Sequence, residues 1–143
     1  ASFFPDAKDA TDPYVSEFMK INTKYNKGVA FDNVVLQGMN SAMLTVQSLR
    51  AAGKNLTRAG LIKAIEDKGS TFASAGLAPL NYSTTSRVGY NGYWFGQLNA
   101  KGELLPYITG KRTLYTTDST TTSAPVLSTY ERKPIPKNGI PTN

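Results

Sequence analysis

The stretch GMNSAMLTVQSLRAAG, residues 38–53, is the most informative part of the sequence for the fold. Its apolar residues recur every three or four positions, which is the period of one helix face, and Gly53 follows as a stop signal. The inward stripe is predicted to comprise Met39, Ala42, Met43, Val46 and Leu49. The other, solvent-facing side is predicted to carry Asn40, Ser41, Gln47 and Arg50. A helix of this kind requires a large apolar surface to pack against.

Capping residues predict where this helix and two others begin. Asp12 and Pro13 form a helix start, because Asp accepts from unpaired N–H groups and Pro suits the first helical position, so a helix is expected over residues 13–26. The central helix is expected to begin after Asp32-Asn33. Thr57 is expected to cap a third helix that ends at Lys68-Gly69.

An extended region is predicted to follow the three helices. The runs GYWFGQL (92–98) and ELLPYIT (103–109) are rich in β-forming residues and flank NAKG, a turn sequence, so they predict a hairpin. Trp94, in the first run, is expected to be a core residue rather than a stacking platform for a ligand. Residues 111–143 are rich in Thr and Ser and then in Pro, and predict an extended or partly disordered tail. The residues expected to pin this tail to the body are Tyr115, Val126, Leu127 and Tyr130.

Composition narrows the classes of function. The chain has 143 residues with no Cys and no His, so thiolate chemistry and the commonest general base are missing. No phosphate-binding loop, nucleophile elbow or cluster of metal-ligating residues is present, and we predict no enzyme activity, no cofactor and no metal. The net charge is +6, but the basic residues are dispersed, so nucleic-acid binding is not expected. No apolar run is long enough for a membrane span.

The order of these elements resembles the C-terminal part of type I periplasmic solute-binding proteins. The similar runs are DPYVSEFMKINTKYN (12–26), LRAAG (49–53), LTRAGLIKAIEDKG (56–69), AGLAPLNYS (75–83) and GYWFGQLNAKGELL (92–105). The branch it resembles most is the branched-chain amino-acid receptors of ABC transporters, and the resemblance covers roughly residues 2–110. Where that family often has Tyr-Asp-Ala in the second helix, this chain has Met39, Asn40 and Ser41.

The resemblance implies a fold class and a function. The fold class is α/β, as the C-terminal portion of a two-lobed type I periplasmic-binding fold, with three helices, short strands and a final hairpin. Residues 1–110 would belong to the receptor proper and residues 111–143 to the tail. The protein would bind an amino acid or related small solute between its lobes and deliver it to the ABC transporter permease. It would lie in the periplasm or outside the cell, with a lipid-anchored full-length form as one expectation.

The resemblance also assigns positions to the cleft. The family's chain crosses between its lobes three times, and residues 2–4 and 91–93 are similar to two of these crossings. Residues 33–37 correspond to a segment at the rim of the cleft, which makes Asn33, Val34 and Gln37 the candidate ligand-binding residues. In the alternative interpretation Asn33 is only a helix cap and Val34 only a core contact. Most ligand contacts are expected upstream of this chain.

A second hypothesis is a self-associating structural or sensor module that binds no small molecule. Three amphipathic helices need cover, and the strands in this chain are too few to provide it, so we expect this to be the later part of a longer protein. The apolar helix residues expected to lack full cover are Phe18, Ile21, Met39, Met43, Val46, Leu61 and Ile65. A homodimer or association with the missing N-terminal part would then bury them.

Overall fold

The computed structural model describes residues 2–54, 56–106, 113–116 and 124–135. Its helices are α1 (Pro13–Tyr25), α2 (Asn33–Ala52) and α3 (Arg58–Lys68), and a short 3-10 turn, Gly69–Thr71, follows α3. Its strands are β1 (Gly92–Trp94), β2 (Gly96–Leu98), β3 (Leu104–Pro106), β4 (Leu114–Thr116) and β5 (Val126–Leu127). The described chain therefore combines helices with small antiparallel sheets, which agrees with the α/β class.

All three predicted helices are confirmed, and so are the predicted caps Asp12 and Thr57. The Asp12 carboxylate accepts hydrogen bonds from the backbone N–H groups of Tyr14 and Val15 at 2.9 and 3.2 Å. The Thr57 hydroxyl accepts from the N–H of Gly60 at 3.0 Å. Side chains of this kind satisfy donors that have no partner inside the helix, which is why the helix starts could be located from the sequence.

The predicted orientation of α2 is partly wrong. The buried residues of α2 are Leu36, Asn40, Met43 and Gln47. Asn40 and Gln47 were expected to face solvent, whereas Ala42 and Leu49, expected to face inward, are exposed. The buried stripe is rotated because the two amides find hydrogen-bonding partners in a later segment of the chain.

The strands form two separate antiparallel sheets. One has the order β1-β4-β5, with Tyr93 opposite Tyr115 and Tyr115 opposite Leu127. The other is the predicted hairpin, β2 paired with β3, and Gly102 in its turn has a φ of 73°, which favours glycine. The run GYWFGQL was expected to be one strand, but it divides at Phe95 between the two sheets.

The core lies between α1, α2 and the segment after α3. It comprises the buried residues Phe4, Ala7, Tyr14, Val15, Phe18, Leu36, Met43 and Ala75. Of the seven helix residues expected to lack cover, Phe18 and Met43 are buried and the other five are partly buried. The expectation is therefore wrong for Phe18 and Met43, which the chain's own segments cover, while the other five keep part of their surface exposed.

The described parts of the tail fold back onto the body. Residues 114–116 and 126–127 form β4 and β5, and residues 128–135, which we call the strap, continue to α1. Val126 and Leu127 are exposed, so they are not the apolar anchors that were predicted. Tyr115 does join the tail to the body, because it pairs with Tyr93 of β1, and further anchoring contacts come from Arg132 and Lys133. The remaining tail residues, including 117–123 and 136–143, lie outside the described part of the chain, as do residues 107–109 of the predicted second hairpin strand.

Candidate functional site

The start of α2 holds the three candidate ligand-binding residues. Asp32, rather than Asn33, caps the helix, and its carboxylate accepts from the N–H of Val35 at 2.8 Å. The side-chain oxygen of Asn33 instead accepts from the N–H of Ala7 at 2.7 Å. The interpretation of Asn33 as the cap is therefore wrong, and its side chain ties the first loop of the chain to α2.

Val34 and Gln37 lie on an open surface of the first turns of α2. Val34 is 77% exposed, so it is not the core contact of the alternative interpretation. Gln37 is also exposed, and its backbone carbonyl accepts from the hydroxyl of Ser41 at 2.9 Å. The surface is accessible to a ligand, and a ligand-binding role for these residues stays a prediction.

Gln47 makes a reciprocal contact that sequence reasoning missed. Its Nε2 donates to the carbonyl of Ala73 at 2.8 Å, while its Oε1 accepts from the N–H of the same residue at 2.8 Å. The same Nε2 also lies 3.3 Å from the carbonyl of Met43. One amide side chain thus satisfies both backbone groups of a buried residue, as a neighbouring strand would.

Asn40 extends this contact to the next two residues. Its Oδ1 accepts from the N–H of Ala75 at 2.8 Å and from the hydroxyl of Ser74 at 3.1 Å. Its Nδ2 donates to the Tyr90 hydroxyl at 2.6 Å. We call Asn40 and Gln47, with residues 73–75 that they hold, the amide clamp.

Tyr90 closes the amide clamp from the other side. Its hydroxyl lies 2.5 Å from the hydroxyl of Ser74. Burial raises the pKa of Tyr90, and the hydrogen bonds with Ser74 and Asn40 oppose part of that rise. The phenol is therefore neutral at physiological pH, and its hydroxyl joins Asn40 to Ser74.

The first predicted crossing segment, residues 2–4, is bridged to Trp94, the residue that directly follows the second predicted segment, 91–93. Ser2 and Trp94 form an antiparallel bridge, with N–H to carbonyl distances of 2.9 and 2.7 Å in the two directions. The indole Nε1 of Trp94 donates to the carbonyl of Phe4 at 3.0 Å, and the ring is fully buried. The prediction that Trp94 is a core residue is confirmed.

The carboxylates of Asp32 and Glu66 each have a partner of their own. Asp32 caps α2, whereas Glu66 on α3 is paired with Arg87 at 2.5 Å. Within the described residues, no group of three or more acidic side chains is placed to hold a metal ion. Among the same residues, no helix has both the length and the apolar character needed to cross a membrane.

Comparison with known proteins assigns no family. The chain matches no family model, no curated protein and no solved structure.

Proposed function

We propose that this chain is the C-terminal part of an extracytoplasmic solute-binding receptor of an ABC transporter. The receptor would have the type I periplasmic-binding fold of the branched-chain amino-acid receptors. It would bind an amino acid or a related small solute between two lobes and deliver it to the permease. The full-length form would reside in the periplasm or outside the cell, with a lipid anchor as one variant.

The observation that supports this proposal most strongly is the bridge between Ser2 and Trp94, which joins segment 2–4 to the residue directly after segment 91–93. In a two-lobed receptor the segments that cross between lobes run next to each other, because together they form the hinge. Ser2 and Trp94 are 92 positions apart and are joined by two backbone hydrogen bonds. The helices lie between them in sequence, in the order that the resemblance requires.

The open surface at the start of α2 supports the assignment of the cleft. Val34 and Gln37 are exposed, while Asn33 is held in place by its bond to Ala7. A residue that contacts a solute has to be accessible before the solute arrives, and its supporting residue has to be fixed. The three candidates meet these conditions.

The test compares two substitutions on the same helix in the receptor that contains this chain. Val34→Trp places a bulky ring at the proposed cleft, and Leu49→Trp places one at the far end of α2, also at an exposed position. Calorimetric titration with leucine, an aliphatic amide and an aromatic acid finds the solute. Val34→Trp is expected to weaken its binding about tenfold, since overpacking a contact costs about 1–3 kcal/mol.

Leu49→Trp is expected to leave the affinity unchanged, and neither substitution should alter the melting temperature appreciably. Equal affinities of the two variants would contradict the placement of the cleft. Failure of all three solutes to bind the unmodified receptor would contradict the receptor proposal itself.

A self-associating module is the second candidate, and the hairpin favours it. In the β2–β3 register Leu98 lies opposite Leu104 and Leu105 lies opposite Gln97, so Leu98 and Leu105 point to opposite faces of the hairpin. Both are exposed, at 67% and 48%. A two-stranded hairpin is only marginally stable in water by itself, and one with an exposed leucine on each face gains stability if those leucines are buried against another molecule.

Light scattering over a range of concentrations tests this second candidate. Self-association through the hairpin predicts that Leu98→Lys combined with Leu105→Lys shifts the molar mass to that of a monomer. Ile62→Lys, at an exposed position on α3, is the matched control and should change nothing. A monomeric unmodified protein at every concentration would exclude self-association.

A further inference from the structure

The strap is joined to the helices mainly by one arginine. It starts at the sheet, where the N–H of Ser128 donates to the carbonyl of Leu114 at 2.9 Å. At its other end Arg132 lies against Asp12, with Nη2 to Oδ2 at 2.6 Å and Nη1 to Oδ1 at 3.3 Å. The same Nη1 donates to the carbonyl of Ala75 at 2.9 Å. Arg132 thus bridges the start of α1 and the segment held by the amide clamp.

The neighbouring contacts reinforce this bridge. The Tyr14 hydroxyl donates to the carbonyl of Lys133 at 2.7 Å, and the Arg132 guanidinium lies 4.8 Å from the centre of the Tyr14 ring. The Lys133 ammonium donates to the carbonyl of Thr71. Ile135 is partly buried against the core. Two adjacent strap residues therefore make the polar contacts with α1 and with the segment after α3.

Little apolar area holds the strap down. Glu131, Lys133 and Pro134 are exposed, and Tyr130 is only partly buried. By contrast the surface beneath the strap is closed: the side chains of Arg132 and Asp12 are 15% and 5% exposed, and Ala75 is fully buried. A segment with few apolar contacts, fixed by a small number of polar ones, opens at lower free energy than the core it covers.

We propose that the strap acts as a latch: it detaches from the helices and reattaches as a unit while α1, α2 and α3 stay folded. Arg132 is the residue that holds it closed. Opening breaks the ion pair with Asp12 and the bond to Ala75, and it uncovers both. Because Asp12 still caps α1 when the strap is open, the helix does not unfold with it. The strap links the β1-β4-β5 sheet to α1, so opening removes one of the connections between sheet and helices. This proposal is independent of the receptor proposal.

The absence of native cysteine allows a direct test by thiol labelling. Ala75→Cys places a thiol in the core at the residue whose carbonyl Arg132 contacts, and Ala64→Cys places one in α3 at a buried position. Each is measured with Arg132 present and with Arg132→Ala. The latch predicts that Cys labelling at position 75 accelerates about tenfold or more without the guanidinium, since it removes hydrogen bonds to a charged group. Labelling at position 64 should change by no more than the global stability does.

Urea separates local opening from global unfolding. Local opening exposes little surface, so labelling at position 75 should depend weakly on urea, whereas labelling at position 64 should follow the full unfolding slope. If Ala75→Cys does not fold, Ile135→Cys in the strap supports the same comparison. Cysteine is smaller than isoleucine, so this substitution does not overpack its site. Equal rates and equal urea slopes at the strap position and at position 64 would overturn the latch.

Discussion

Residues 73–75 and the strap are both held against the helices by side chains, but by different chemistry. The amide clamp uses two neutral groups, Asn40 and Gln47, each at most 1% exposed. The strap uses one ion pair, Arg132 with Asp12, at the edge of the core. Neutral amides that are fully paired can be buried deeply, whereas a charged pair keeps part of its hydration only near the surface. We infer that the amide clamp is permanent and the strap releasable.

The largest loss of stability is expected at the amide clamp, and it tests the inference that the clamp is permanent. Gln47→Leu keeps the side chain's size but leaves the buried N–H and carbonyl of Ala73 without their partner. Each unsatisfied buried group costs about 1–3 kcal/mol, so the free energy of unfolding should fall by about 2–6 kcal/mol in urea titration. Gln97→Leu, at an exposed position of β2, is the control and should change it by less than about 0.5 kcal/mol. A similarly small loss of stability for Gln47→Leu would contradict the inference that the amide clamp is more permanent than the strap.

Asp12→Asn tests how much the ion pair with Arg132 stabilises the strap. Asparagine caps helices about as well as aspartate, so the substitution keeps the cap of α1 and removes the ion pair. We expect a loss of about 1.5–3 kcal/mol, the contribution of hydrogen bonds to a charged group. Asp32→Asn provides the matched control, because Asp32 caps α2 and is exposed; its effect on stability should be close to zero. Equal losses at both caps would show that Arg132 contributes nothing.

Alkaline pH should lower the free energy of unfolding through Tyr14, whose hydroxyl is bonded to the strap. Burial raises the pKa of Tyr14 to about 12, and the charge of Arg132 opposes part of this rise. An unfolded tyrosine titrates near pH 10. Between about pH 10 and 12 the unfolded chain has lost a proton that the folded chain keeps, so stability is complete below this window and falls as pH rises through it.

Tyr14→Phe isolates this contribution, because Tyr90 also has a raised pKa and adds a decline of the same sign. The substitution removes the bond to Lys133 and should cost about 1 kcal/mol at neutral pH. It should also make the alkaline decline shallower. Tyr25→Phe, at an exposed position near the end of α1, is the control and should leave the stability at neutral pH unchanged. An unaltered decline in Tyr14→Phe would mean that another group titrates.

The smallest change in the free energy of unfolding is expected at the exposed start of α2. Val34→Ser should change the free energy of unfolding by less than about 0.5 kcal/mol, because the side chain is exposed. Leu36→Ala, two positions further along and fully buried, should cost about 2–5 kcal/mol. A destabilisation of similar size at both positions would place Val34 in a covered environment.

Local signals were sufficient to predict the helices and the hairpin. Asp12, Asp32 and Thr57 cap helices through bonds to residues two or three positions away, so the information lies within one turn. The hairpin turn is equally local: Asn99 accepts from the N–H groups of Lys101 and Glu103.

Distant contacts explain what the sequence did not reveal. Periodicity treats polar residues as outward-facing, but Gln47 faces inward because its partner lies 26 positions further along. Arg132 and Asp12 are 120 positions apart, and nothing near either residue indicates the other. For the candidate site, the sequence located Asn33, Val34 and Gln37 at a helix start, but the bond between Asn33 and Ala7, 26 positions earlier, had no local signal.

The bridge between Ser2 and Trp94 gives the protein a built-in optical probe. Trp94 is the sole tryptophan of the chain, so all indole emission comes from this junction. Its ring is fully buried and its N–H is bonded to Phe4, which should place its fluorescence towards the blue and shield it from collisional quenchers. Any movement that separates the two segments would admit water to the ring and shift the emission towards the red, so motion at this junction can be followed in the unlabelled protein.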